Sequence, residues 1–166
     1  MRPTADRVRE AIFNILGEKT EGARVLDLFA GTGALALEAL SRGASSAVLV
    51  ESDPRAFAVL RRNVLDLGAD PAEALLMDWR SALRVLGSRG SRFELVFLDP
   101  PYGRGIAGRS AKDLEGAGLL LPGGTVVVEE DARGGESSFP AVWEQVGDRR
   151  YGGTRVMLFT RRRERG

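Results

Sequence analysis

The hydrophobic positions of this chain follow two alternating spacings. Short apolar runs, typical of strands buried on both faces, alternate with stretches in which apolar side chains recur at helical spacing. These patterns predict strands at residues 24–29, 47–50, 74–77, 93–98, 125–129, 142–151 and 154–160. They predict helices at residues 2–16, 34–42, 54–67, 79–86 and 111–121. The alternation ends in a hairpin at Gly152-Gly153, which predicts one α/β domain, residues 1–166, with a mostly parallel sheet and an antiparallel edge.

Proline and glycine mark the ends of several predicted elements. Asp53 followed by Pro54 predicts a capped helix start, and Gly68 predicts the end of that helix. The glycine-rich segment 103–108 predicts a mobile loop, and the helix after it is predicted to end at residues 122–124, Pro-Gly-Gly. Further loops are predicted at residues 19–24, 87–92 and 131–140.

The composition excludes several kinds of catalytic and metal-binding chemistry, while it is ordinary for a globular domain. The chain has 166 residues, of which 43% are hydrophobic and 28% charged, with a net charge of +1. It contains no cysteine and no histidine, which excludes disulfides and thiolate nucleophiles and removes the usual zinc ligands. A general base would therefore be a carboxylate, a lysine, a tyrosine or water. The sequence has no apolar run of membrane-spanning length and no secretory signal, so we expect a cytoplasmic monomer that binds neither membrane nor metal.

Acidic residues follow the first four predicted strands. They are Asp27, Glu51, Asp78 and Asp99, the last of which opens an Asp-Pro-Pro-Tyr segment. In an open α/β sheet, ligands bind outside the carboxyl ends of the strands. We therefore expect these acids to gather around a binding site at that edge.

A glycine turn follows the first strand and resembles a dinucleotide-binding fingerprint. Gly31, Gly33 and Ala36 have the spacing of that fingerprint, with alanine in the third place. Glu51 follows 18 residues after Gly33, where an acid that accepts hydrogen bonds from a ribose belongs. This pattern alone does not separate a nicotinamide cofactor from S-adenosylmethionine.

Two further features favour S-adenosylmethionine. Asp27 lies four residues before Gly31, where a carboxylate suits an ammonium and a sulfonium and would repel a pyrophosphate. In the Asp-Pro-Pro-Tyr segment, the rigid prolines let the Asp99 side chain and the Pro100 carbonyl accept hydrogen bonds from one planar NH2 group. Tyr102 offers a ring on which a base can stack. The sequence therefore predicts methylation of a base amine.

Four segments together resemble a known family. They are residues 29–33 (Phe-Ala-Gly-Thr-Gly), 99–102 (Asp-Pro-Pro-Tyr), 2–10 (Arg-Pro-Thr-Ala-Asp-Arg-Val-Arg-Glu) and 37–43 (Leu-Glu-Ala-Leu-Ser-Arg-Gly). The first two resemble class I S-adenosylmethionine-dependent methyltransferases that act on exocyclic amines, and the other two narrow the resemblance to the RsmD family. That family methylates guanine N2 in 16S ribosomal RNA of the small subunit. The resemblance implies a Rossmann-like fold with a seven-stranded sheet and an antiparallel C-terminal hairpin.

The resemblance also implies roles for individual residues. The helix over residues 1–17 would cover the cofactor, and ribosomal RNA or a small-subunit assembly particle would be the partner. Members usually carry a basic segment before the Arg-Pro-Thr motif, whereas here Met1 directly precedes Arg2. The target-base site would comprise Asp99, Pro100, Pro101 and Tyr102. The cofactor site would comprise Thr4, Asp6, Asp27, Phe29, Ala30, Gly31, Thr32, Gly33, Glu51, Ser52, Asp78 and Trp79.

The target base and two other classes of function stay open at this point. The edge of guanine presents two neighbouring donors, N1–H and N2–H, and a carboxylate such as Asp99 can accept both. Adenine and cytosine pair a donor with an acceptor, which suits asparagine better, although enzymes acting on adenine also use aspartate here. The alternatives are an adenine-N6 methyltransferase, a nicotinamide-dependent oxidoreductase and a non-catalytic ribosome assembly factor with a vestigial cofactor pocket.

Overall fold

The structure is a computed structural model that describes residues 3–68, 71–101, 103, 105–134 and 137–163, without the side chains of Pro3 and Thr4. Its helices are α1 (Pro3–Leu16), α2 (Ala34–Ser41), α3 (Pro54–Leu67), α4 (Trp79–Ser88) and α5 (Ile106–Gly116). Its strands are β1 (Arg24–Asp27), β2 (Ser46–Glu51), β3 (Ala72–Leu76), β4 (Phe93–Leu98), β5 (Leu120–Asp131), β6 (Trp143–Tyr151) and β7 (Thr154–Arg161). None of the helices in these ranges is long and apolar enough to cross a bilayer.

The seven strands form one sheet in the order β3-β2-β1-β4-β5-β7-β6. The first five strands are parallel, and β7 runs antiparallel to both of its neighbours. Apolar residues of α1, α2 and α3 pack on one face of the sheet, and those of α4 and α5 pack on the other. The predicted seven-stranded α/β sheet, mostly parallel and closed by an antiparallel hairpin, is confirmed.

Both predicted ends of α3 are confirmed by their hydrogen bonds. The backbone N–H of Arg55 donates to Asp53 Oδ1 at 3.0 Å, which is the N-cap, and Pro54 occupies the first helical position. Gly68 closes the helix in the left-handed region at φ 64°. The loop predicted at residues 19–24 is partly wrong, because a short 3₁₀ helix spans Gly17–Thr20 directly after α1.

The prediction for the segment around α5 was wrong at both ends. The helix begins at Ile106, inside the predicted glycine-rich loop, and ends at Gly116 rather than Leu121. Gly108 is a helical residue whose backbone packs closely against the loop after β5, because a Cβ there would lie 3.0 Å from the Ser138 carbonyl oxygen. Only glycine allows the helix to approach this loop so closely, so Gly108 indicates tight packing and does not mark a loop.

The apolar residues assigned to the end of that helix belong to β5. Leu120 pairs with Phe93, and Thr125 pairs with Leu95, so the ladder shifts register between these two pairs. The predicted Pro-Gly-Gly turn at residues 122–124 lies within this irregularity of β5 instead of ending a helix. A continuous apolar run does not by itself distinguish a helix end from a buried strand, and here the pairing with β4 decides.

Candidate active site

A cleft of about 700 Å³ opens at the carboxyl ends of β1, β2 and β4. This is the edge at which open α/β sheets bind ligands. The predicted site residues that line the cleft are Asp27, Phe29, Ala30, Gly31, Thr32, Glu51, Ser52, Trp79, Asp99, Pro100 and Pro101. The structure therefore brings most of the predicted cofactor residues and most of the Asp-Pro-Pro-Tyr segment into one cavity, while Tyr102 lies outside the described residues.

The glycine turn leaves room for a ligand on one side and packs tightly on the other. Gly31 has φ 57°, and no atom lies within 4 Å of the position a Cβ would take. Gly33 has φ 91°, and a Cβ there would lie 2.5 Å from Leu60 Cδ1 and 3.2 Å from Leu49 Cδ2. Gly33 does not line the cleft. The first glycine thus opens the cleft to a ligand, whereas the second lets the turn approach α3 and the sheet.

The Glu51 carboxylate supports this turn from the end of β2. Its Oε1 accepts a hydrogen bond from the Gly31 backbone N–H, and its Oε2 accepts one from the Asp53 backbone N–H, both at 2.8 Å. An ionised carboxylate has about four lone-pair sites, so two remain for hydroxyl donors of a ligand. Glu51 is therefore oriented before any ligand binds, as the predicted ribose contact requires.

We expect Glu51→Ala to weaken binding of S-adenosylhomocysteine by about ten- to a hundredfold, because a charged acceptor is worth about 1.5–3 kcal/mol. Isothermal titration calorimetry with purified protein measures this change. Glu94→Ala is the matched control, since Glu94 pairs with Arg24 at 3.0 Å and lies outside the cleft. Equal affinity of wild type and Glu51→Ala would contradict the ribose role.

Asp78 occupies a helix cap, away from the cleft lining. Its Oδ1 accepts a hydrogen bond from the Ser81 backbone N–H at 2.9 Å, and its Oδ2 accepts one from the Ser81 hydroxyl at 3.0 Å. These two hydrogen bonds lower the pKa of Asp78. Its neighbours Met77 and Trp79 line the cleft, and the Trp79 and Phe29 ring centroids lie 6.3 Å apart. The adenine role of Asp78 stays a prediction, and the aromatic surface beside it comes from Trp79.

Helix α1 packs on the same face of the sheet as α2 and α3, and none of its described residues lines the cleft. Val8, Ile12 and Phe13 are buried there. Arg9 lies 3.1 Å from Asp6 and 3.6 Å from Glu38 of α2, which joins the two helices. Asp6 does not line the cleft, and the Thr4 side chain is outside the described part, so both predicted cofactor contacts stay predictions.

The strand register places four carboxylates on one face of the sheet. Asp27 lies opposite Leu49 of β2 and Phe97 of β4, and Phe97 lies opposite Val127 of β5. Side chains two residues apart on a strand share a face. The residues two positions beyond these three partners are Glu51, Asp99 and Glu129. Glu51, Asp99 and Glu129 therefore form a row at the end of the sheet, and Asp27 lies on the same face two residues further from that end.

Asp27 is the most deeply buried of these acids. It is 1% exposed, and its Oδ1 has no hydrogen-bond partner among the described residues. Burial and the nearby Asp99 raise its pKa to about 8, while the Phe29 backbone N–H opposes part of that rise. A buried carboxylate with an unpaired oxygen at a ligand cleft is suited to a cationic ligand.

Glu129 was missed by the sequence analysis. Burial, followed by the charges of Asp99 and Asp27, raises its pKa, and burial also raises that of Asp99. The rule that identified the other strand-end acids, applied to the fifth predicted strand at residues 125–129, would have found it.

Within the part of the chain that the structure describes, no group of histidine, cysteine or acidic side chains has an arrangement that could hold a metal ion.

Comparison with known proteins places this site in a family. The family described as "Conserved hypothetical protein 95" matches residues 1–160. The chain is 39% identical over 143 residues to "Ribosomal RNA small subunit methyltransferase D" of Escherichia coli K12. The aligned region covers 86% of this chain and 71% of that protein.

Solved structures agree with this assignment. The structure described as "Putative methyltransferase yhhF from Escherichia coli" has a TM-score of 0.89 at 36% identity and covers 99% of this chain and 89% of its own. An RNA methyltransferase from Salinibacter ruber in complex with S-adenosyl-L-homocysteine shares the fold, with a TM-score of 0.72 at 20% identity over 99% of this chain and 97% of its own. The chain therefore belongs to the "Conserved hypothetical protein 95" family, the family of the ribosomal RNA small subunit methyltransferase D proteins.

Proposed function

We propose that this protein transfers a methyl group from S-adenosylmethionine to the N2 amine of a guanine in 16S ribosomal RNA. The observation that carries the proposal is the meeting of two motifs in one cleft, the glycine turn after β1 and the Asp99-Pro100 segment after β4. The name of the Escherichia coli relative supports ribosomal RNA of the small subunit as the substrate class. The ligand of the Salinibacter ruber structure supports S-adenosylmethionine as the cofactor.

The cleft fits this cofactor by its charge and by its open backbone. Asp27 would pair with the ammonium group, since its Oδ1 is buried without a partner. Glu51 would accept hydrogen bonds from the ribose hydroxyls, and Trp79 would pack against the adenine. A pyrophosphate would be repelled by the same acids, which argues against a nicotinamide dinucleotide in this cleft.

Positioning by Asp99 and Pro100 accounts for the chemistry. S-adenosylmethionine supplies an electrophilic methyl group on a sulfonium. The Asp99 carboxylate and the Pro100 carbonyl would each accept one hydrogen of the amine, which withdraws the nitrogen lone pair from the ring and directs it at the methyl carbon. As the nitrogen gains the methyl group, the methyl–sulfur bond would break and its electron pair would stay on the sulfur, so that the leaving group is the neutral thioether S-adenosylhomocysteine. Asp99 would accept the proton that the nitrogen loses, and burial raises its pKa toward that role. No histidine is needed.

The proposed reaction uses one chain and an unstacked base. A base amine reaches the cleft only if the nucleotide leaves its stack, so the target guanine would be flipped.

One chain contains every residue that the proposal uses, so a monomer within a single domain is sufficient, with α1 beside the cofactor. The bacterial cytoplasm, which holds the ribosomal RNA, would be its compartment.

Transfer of a labelled methyl group tests the proposal. Purified protein is incubated with S-adenosylmethionine carrying a tritiated methyl group and with either free 16S RNA or small subunits from a strain that lacks this gene. Digestion to nucleosides and mass spectrometry should identify N2-methylguanosine. N6-methyladenosine would assign the enzyme to the adenine class, and tight RNA binding without any transfer would favour an assembly factor.

A further inference from the structure

Glu129 extends the row of acids one strand beyond Asp99. Leu98 and Val128 are partners in the parallel ladder of β4 and β5, and Asp99 and Glu129 directly follow them. Neighbouring strands lie about 4.8 Å apart, so the two carboxylates start from adjacent backbone positions. Glu129 shares its face with Val127, which belongs to the core on the side of the sheet covered by α1, α2 and α3.

Among the residues that the structure describes, the ion pairs near Glu129 involve its neighbour Glu130 and not Glu129 itself. The next residue, Glu130, faces the other side of the sheet, where it lies 3.9 Å from Arg155 and accepts a hydrogen bond from the Ser137 hydroxyl at 3.0 Å. Opposite Glu129 on β7 is Val156, which is apolar and buried. Among the described residues, the charged groups that act on Glu129 are Asp99 and Asp27, both negative.

A second observation concerns Asp27, which lies at the cleft beside Asp99, whereas Glu129 lies one strand further along the row and is not part of the cleft lining. Asp27 is 1% exposed, lines the cleft and keeps an unpartnered Oδ1. Burial and the mutual charges of these three acids favour their protonated forms, and a ligand rich in donors and positive charge would favour the ionised forms instead. The cofactor would meet Asp27 and Glu51 at one end of the row, which leaves Asp99 and Glu129 for the second substrate.

We propose that Glu129 is the residue that selects guanine, by accepting a hydrogen bond from the N1–H of the target base. The inference rests on the proposed function, in which guanine N2 is the methylated atom. Guanine carries three hydrogens along this edge, two on N2 and one on N1. Asp99 and the Pro100 carbonyl hold the two on N2, and the next acceptor along the row is Glu129.

The same arrangement disfavours bases that lack the N1 hydrogen. Adenine and 2-aminopurine both present a lone pair at N1. The positive charge of the bound cofactor would favour the ionised form of Glu129, and an ionised carboxylate facing that lone pair gains no hydrogen bond. A site built to accept a hydrogen bond rejects analogues that cannot donate it, because its polar group is then left unpaired. Glutamine at position 129 could instead donate its amide hydrogen to such a nitrogen.

The test compares guanine with 2-aminopurine at the target position of a short RNA that contains the methylated site. 2-Aminopurine keeps the amine at C2 and lacks the N1 hydrogen. We expect wild type to favour guanine in kcat/KM, and we expect Glu129→Gln to reduce that preference by about ten- to a hundredfold, the range for one hydrogen bond to a charged group. The loss of O6 in 2-aminopurine affects both enzymes equally and cancels in the comparison.

Three further measurements separate this role from others. Glu130→Gln, on the opposite face, should keep the wild-type preference. Calorimetric affinity for S-adenosylhomocysteine should be unchanged in Glu129→Gln, and a loss of affinity that accounts for the effect would overturn the inference. Glu129→Asp keeps the charge but withdraws it by one methylene, so it should act more slowly on guanine and still prefer guanine.

The outcomes also separate this inference from the proposed function. If wild type methylates guanine N2 and Glu129→Gln keeps the full preference over 2-aminopurine, the inference alone fails, and Asp99 by itself accepts the N1 hydrogen. If wild type transfers no methyl group to guanine N2, the proposed function fails and the inference fails with it.

Discussion

Asp99→Ala is expected to lower the rate of methyl transfer to RNA by at least about a hundredfold while cofactor binding persists. The variant removes one of the two acceptors that orient the amine and the group that takes its proton, and losses of this kind reach about 10²–10³ in rate. Single-turnover transfer of a tritiated methyl group measures the rate, and calorimetry with S-adenosylhomocysteine measures the binding.

Asp99→Asn is the closest control for size and shape. It keeps one acceptor oxygen for the amine hydrogen, but a neutral amide cannot take up the proton that the nitrogen loses. We expect it to lose transfer to guanine nearly as completely as Asp99→Ala. Transfer at the wild-type rate by either variant would remove Asp99 from the chemistry and, with it, the basis for assigning the base site to the end of β4.

Asp27→Asn is expected to weaken cofactor binding strongly and, at the same time, to stabilise the protein without ligand at alkaline pH. The cofactor loses the only fully buried counter-charge for its ammonium group among the described residues, so we expect its affinity to fall by at least about a hundredfold. Calorimetry with S-adenosylhomocysteine measures this loss. The surface variant Asp66→Asn is the control and should bind normally.

The stability change has a definite sign. The pKa of Asp27 is raised from 3.8 to about 8, so the folded protein holds a proton that the unfolded chain has released over that interval. The wild-type free energy of unfolding should therefore fall as pH rises from about 4 to about 8, and Asp99 and Glu129 add to the same slope because burial raises their pKa values too. Asp27→Asn cannot ionise, so it should exceed wild type at pH 9 by an amount on the order of a few kcal/mol.

Proton release on binding gives an independent check on Asp27. A cationic ligand favours the ionised carboxylate, so cofactor binding at pH 7 should expel a proton from wild type. Titration calorimetry in two buffers with different ionisation enthalpies counts the protons released. A stability curve in Asp27→Asn that follows wild type across the whole pH range would show that Asp27 is ionised in the free protein, contrary to its burial.

Much of the fold and of the site could be predicted from local signals in the sequence. Both ends of α3 could be predicted because each end depends on neighbouring residues alone: a cap and a proline at the start, and a left-handed glycine at the end. The cleft residues Asp27, Glu51 and Asp99 were readable because the carboxyl ends of parallel strands meet at one edge, whatever the order of the strands. The start of α5 could not be predicted because its glycines indicate a loop, whereas Gly108 is in fact required by close packing against the segment after β5. The beginning of β5 could not be predicted because its apolar residues suit a helix or a strand until β4 provides a partner.

The sequence alone determined which acids follow strands, and the tertiary structure decided which of them face one another. The sheet order places β4 beside β1, which brings Asp99 next to Asp27 although 72 residues separate them along the chain. Asp78 leaves the group because its carboxylate caps α4, and Glu129 joins it because β5 pairs in register with β4. The raised pKa of Asp27 likewise depends on burial by distant segments, and no local pattern of residues contains that information.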